Sequence, residues 1–95
     1  MTISKFTHGY IQFVRVNNTT RIHIHFRKLI PNTEYSFYIV GFFMYYELCN
    51  LKSNYKGELN YIFYDTLQLH GYKSILGKKI NMYENNSKIE YAIIV

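Results

Sequence analysis

Between Thr20 and Leu29 the chain reads TRIHIHFRKL, where apolar and polar residues alternate one for one. A period of two belongs to a strand with one dry face and one wet face. Ile22, Ile24 and Phe26 then share one side, and Arg21, His23, His25 and Arg27 share the other. A helix would scatter both sets around its axis, so the pattern excludes a helix here. Related patterns recur along the chain. GYIQFVRV (9–16) runs into the Asn-rich turn NNTT, and IPN turns the chain into TEYSFYIVGFF (33–43), with Tyr35, Phe37 and Ile39 on one face. NYKG turns into ELNYIFYD (58–65), which places Leu59, Tyr61 and Phe63 in register. HGYKSILGKKINMYE and SKIEYAIIV read as two closing strands around a short NNS turn, and only 43–52 keeps a helical alternative. About seven short strands separated by turn residues predict an all-β, antiparallel sandwich or barrel.

At 95 residues (1–95) the chain is one small domain. A chain of this length buries only about 60–65% of its unfolded surface, so the core is thin. Eleven tyrosines and seven phenylalanines offset this by burying large areas per side chain. The residues after Met1, TISKFTHGY, lack the apolar centre of a secretion signal. The longest apolar run, FYIVGFFMYY (37–46), is half the roughly 20 residues that a bilayer span requires. These features predict a protein that is not secreted and has no membrane partner. A single cysteine, Cys49, cannot close an internal disulfide, which agrees with a reducing compartment. In that setting the glycosylation sequons at Asn17, Asn18 and Asn85 carry no meaning.

The net charge of +5 raises the question of nucleic acid, and basic residues interleaved with tyrosines could form a stacking surface. However, the lysines and arginines are scattered, with only Arg27-Lys28 and Lys78-Lys79 adjacent. That distribution favours a solvated basic surface. His23 and His25, two apart on one strand face, raise the question of a metal. Arg21 and Arg27 flank them, and two fixed cations repel a third. A structural zinc site needs four ligands, and His8, His70 and Cys49 have no compact spacing to supply the rest. The expectation is therefore a wet strand face with no metal cofactor. There is also no nucleophile beside a base and no Gly-rich phosphate loop, which argues against the common enzyme classes.

The order of these segments resembles Cu,Zn superoxide dismutase, and most of all the shortened superoxide-dismutase-like proteins of poxviruses. GYIQFVRV looks like that family's second strand, and TRIHIHFRKLIPN like its third with the following turn. TEYSFYIVGFF…ELC resembles the strand that carries the copper-binding H-x-H, followed by the family cysteine. KGELNYIFYDTLQLHGYKSILGKKINMYE and SKIEYAIIV are similar to the segment that ends at the last copper histidine and to the C-terminal strand. The resemblance implies a Greek-key sandwich over nearly the whole chain, with its active-site loops deleted.

Anchored on Cys49, the resemblance places Tyr38 and Val40 at two copper-histidine positions, and counting from Gly77 places Tyr83 at another. The zinc ligands belong to a long loop after the cysteine, where only Asn50 to Lys56 remain. The second loop shrinks to Glu84–Ser87, and Lys88 stands at the substrate-guiding arginine position. Tyr91 takes the second cysteine position, which leaves Cys49 unpaired. Tyrosine and valine cannot replace imidazoles around a redox-cycling copper. The resemblance thus implies a non-enzymatic viral protein of the virion or the host cytoplasm, acting on a viral or host partner, with the copper chaperone as one candidate. It also implies a homodimer through Phe42, Ile75, Gly77 and Ile94, residues that could equally close the end of the sandwich. An exposed, partly ionised Cys49 could trap a chaperone as a mixed disulfide, whereas a core cysteine would be inert. The competing expectation from composition is a small basic barrel that binds single-stranded nucleic acid.

Overall fold

The computed structural model describes residues 2–69 and 74–95. It contains eight strands: β1 (Thr2–Phe6), β2 (Gly9–Val16), β3 (Thr19–Phe26), β4 (Glu34–Gly41), β5 (Met44–Lys52), β6 (Leu59–Asp65), β7 (Lys79–Glu84) and β8 (Ser87–Ile93). They form two four-stranded antiparallel sheets, ordered β1-β2-β3-β6 and β5-β4-β7-β8. After β3 the chain crosses to the second sheet, makes the β4–β5 hairpin, and returns to lay β6 beside β3. That return is a Greek-key connection.

Alternation decides which side chains enter the core. Ile22, Ile24 and Phe26 of β3 are buried, as are Tyr35, Phe37 and Ile39 of β4. Phe6, Phe26 and Phe37 meet between the sheets, with ring centroids 5.4 Å apart for Phe6–Phe26 and for Phe26–Phe37. The turns use residues suited to their backbone. Asn85 and Asn86, between β7 and β8, both have positive φ (46° and 68°), a conformation asparagine tolerates better than most residues. In NYKG, Asn54 Oδ1 accepts from the backbone N–H of Lys56 and of Glu58, and Gly57 takes φ 75°.

Two strands were not anticipated. β1 is five residues long and pairs only with β2 along its length, a signal too short to stand out. The stretch 43–52, where a helix was conceivable, is β5 from Met44 onward. A bulge explains why its alternation is unreadable. The β4–β5 register slips between Phe37 and Tyr38, and the extra residue Leu48 interrupts the period. Several strands are shorter than expected: β3 stops at Phe26, β4 at Gly41, and β7 begins only at Lys79. Residues 70–73 of the first closing segment lie outside the described residues.

The two long sides of the sandwich differ. On one side, Ile3 and Val95 exchange backbone hydrogen bonds (2.8 and 3.2 Å), which joins β1 to the residues after β8. On the other, β5 and β6 share no backbone hydrogen bond among the described residues; the side chains of Tyr46 and Asp65 bridge the gap. Tyr61 points inward opposite the fully buried Ile24, yet remains 48% exposed because it lies at this open side.

Candidate functional site

The outer face of the second sheet holds most of the residues singled out from the sequence. Tyr38 and Val40 alternate on β4 with the buried Phe37 and Ile39, so both point outward. β7 runs beside β4 and brings Tyr83 next to Tyr38, with ring centroids 5.5 Å apart in an edge-to-face contact. From β5, Tyr45 stacks on Tyr38 at 5.0 Å. Lys88 pairs with Tyr83 across the β7–β8 ladder, so all four positions converge on one face. Lys79 and Lys88 extend over the ring of Tyr91, at 4.9 and 5.7 Å from its centroid.

The chemistry of this cluster is that of neutral phenols. Tyr38 donates a 2.9 Å hydrogen bond to Glu47 Oε2, and that carboxylate raises the Tyr38 pKa. The Tyr45 pKa is also raised, first by desolvation and then by its hydrogen bond with Tyr83. A phenol binds a metal as phenolate, and groups held protonated resist that role. Tyr38, held as its phenol by Glu47, and the hydrocarbon of Val40 do not fit a copper site. Between Tyr38 and Tyr91 lies Asn81, only 8% exposed, whose Oδ1 has no hydrogen-bond partner. A buried acceptor left unpaired costs about 1–3 kcal/mol. Nothing in the sequence marked Asn81, because its burial depends on the neighbouring strands that set Tyr38 and Tyr91 on either side of it.

On the first sheet, His23 and His25 do share the outer face. Tyr10 of β2 stacks on His25 (5.4 Å) and meets His23 edge-on (5.7 Å), while His23 Nε2 is 2.9 Å from Asn60 Oδ1. Among the described residues, no three His, Cys, Asp or Glu side chains group as a metal site. His70 lies outside the described residues.

Cys49 is free and faces inward from β5, packed against the core opposite Phe37. Burial, aided by Glu47, pushes its pKa up to about 12. A half-buried thiol held protonated against the core is a poor nucleophile, which weighs against the covalent chaperone trap in the folded state. The pairing of position 49 with position 91 that the resemblance implies also fails geometrically. Cys49 lies on β5 and Tyr91 on β8, at opposite edges of the sheet with β4 and β7 between them. Three strand spacings amount to roughly 14 Å, far beyond the about 7 Å limit for a disulfide. Nor is the segment after Cys49 a loop remnant throughout, since Asn50, Leu51 and Lys52 belong to β5.

The four residues expected at a dimer contact do not form one surface. Ile75 and Ile94 are fully buried and close the end of the sandwich. Gly77, at φ 82°, donates its N–H to the Ile94 carbonyl at 2.8 Å. Phe42, 94% exposed beside the equally exposed Phe43 in the β4–β5 turn, and the exposed Gly77 do line one surface hollow, without the two isoleucines. No protein-family model matches the chain, and no curated protein matches it.

Proposed function

We propose that this protein is a non-enzymatic interaction module on a superoxide-dismutase-like sandwich, with the former copper face turned into an aromatic contact surface. The observation that carries this reading is the convergence of Tyr38, Val40 and Tyr83 on one face. The resemblance puts copper ligands at those positions, and their phenols and hydrocarbon do not suit copper. The two-sheet Greek-key order also supports the reading. The partner is a protein of the virion or the infected cell, engaged non-covalently by the rings of Tyr38, Tyr45 and Tyr83 and by Lys88. Tyrosines suit this role because they bring large rigid area with a polar tip. The orphaned acceptor of Asn81, between Tyr38 and Tyr91 in the sheet, lies on the same face, and such groups in native folds call for a reason.

The test is affinity capture with the intact protein and with a Tyr45→Ala variant, which changes a ring that is 67% exposed. A specific protein captured by the wild type and lost with the variant supports the reading; equal capture by both contradicts it. A second reading, single-stranded nucleic-acid binding, is favoured by Lys79 and Lys88 around the exposed Tyr91. Binding that weakens steeply with salt would identify it.

A further inference from the structure

We propose that two copies of this chain pair through β6, edge to edge, as an antiparallel two-fold dimer. The inference starts from how the sheet edges are managed. An unpaired strand edge offers free backbone donors and acceptors, and natural proteins blunt such edges with charge, proline, bulges or cover. β1 and the end of β8 are covered by each other through the reciprocal Ile3–Val95 hydrogen bonds. β5 carries the bulge at Leu48 and the charged residues Glu47 and Lys52. Of these protections β6 has a single charge, Asp65 at its end, which the Tyr46 hydroxyl engages. Its ladder to β3 runs unbroken from Thr20↔Asp65 to Phe26↔Leu59, and it contains no lysine, arginine or proline. Among the described residues, no backbone hydrogen bond reaches β6 from its other side.

The sequence of this edge fits a second copy of itself. A full-length antiparallel pairing of Leu59–Asp65 places the two-fold axis at Ile62. Ile62 then faces Ile62 of the second copy, Tyr61 faces Phe63, and Asn60 faces Tyr64. These are apolar and aromatic cross-strand pairs of the stabilising kind. The only charge on the strand, Asp65, falls opposite Leu59, so no like charges oppose each other. Tyr61, Ile62 and Tyr64 are 48%, 59% and 58% exposed in the single chain, and the pairing covers all three. The two first sheets become one continuous eight-stranded sheet, and the second copy shields the open side of each sandwich.

An edge contact of this size is a weak interface, with a dissociation constant on the order of tens of micromolar. Sedimentation velocity from about 1 to about 200 µM should show the wild type passing from monomer to dimer. Ile62→Lys sets two ammonium groups face to face on the axis; that variant should stay monomeric with an unchanged melting temperature, because position 62 points to solvent. Phe42→Ser, at the exposed hairpin tip, should dimerise like the wild type. An Ile62→Cys variant in a Cys49→Ala background gives an independent reading. On the axis the two new thiols lie within disulfide range, so oxidised glutathione should convert them to one intermolecular disulfide while being reduced to two glutathione thiols. A monomer at every concentration, a dimer that survives Ile62→Lys, or association lost with Phe42→Ser would overturn the proposal. Open-ended assembly in place of a closed dimer would also overturn it.

Discussion

Tyr46 donates a 2.6 Å hydrogen bond to Asp65, across the side of the sandwich where β5 and β6 share no backbone bond among the described residues. The bond raises the Tyr46 pKa to about 12, with burial as the second cause. The folded state therefore holds this proton more tightly than the unfolded chain, whose tyrosine ionises near pH 10. The associated stability is complete below pH 10 and is lost as the pH rises from about 10 to about 12. Tyr46→Phe should cost about 1 kcal/mol at pH 7, because the site is partly solvated. Urea unfolding of both proteins at pH 7, 10 and 12 checks this: the difference between them should shrink across that window.

Cys49 provides a second check. With its pKa pushed to about 12 and its side chain against the core, it should react with a thiol reagent only through local opening. Labelling in the native state at pH 8 should be at least about 100-fold slower than in urea. Labelling as fast as in urea would return the exposed-cysteine route to consideration.

The strict alternation of Ile22, Ile24 and Phe26 made β3 readable from the sequence, because each of those residues is buried and each neighbour is not. β4 was readable for the same reason. β5 was not, since the bulge at Leu48 shifts the pleat midway and ties the burial pattern to a tertiary contact with β4. The resemblance grouped Tyr38, Val40 and Tyr83, and the sheet brings all three to one outer face. By contrast, the inward turn of Ile75 and Ile94 depends on chain-end hydrogen bonds that no local pattern encodes. The exposure of Tyr61 was equally hidden, because it follows from β6 lying at a sheet edge.

The aromatic centre of the core should dominate stability. Phe37 is fully buried between Phe6 and Phe26. Phe37→Ala should cost about 3–5 kcal/mol, a large part of what a domain this size possesses. Circular dichroism at 25 °C should show substantial unfolding, whereas a shift of only a few degrees in Tm would argue against a single shared core.

Asn81 should behave in the opposite sense. Its buried Oδ1 lacks a partner, so Asn81→Val removes an unmet desolvation cost at a strand position that suits a β-branched residue. Stability should rise by about 1 kcal/mol. If the face is the contact surface, the same variant should weaken partner capture. A loss of stability would mean that the oxygen is satisfied in the folded protein.

The absence of metal chemistry at Tyr38, Val40 and Tyr83 is the claim on which the proposed function turns, and metal content tests it most directly. Purified protein, incubated with copper and zinc, dialysed and analysed for both elements, should retain far less than one equivalent and show no dismutase turnover. About one tightly held metal per chain, lost in a Tyr38→Phe/Tyr83→Phe or a His23→Ala/His25→Ala variant, would contradict it.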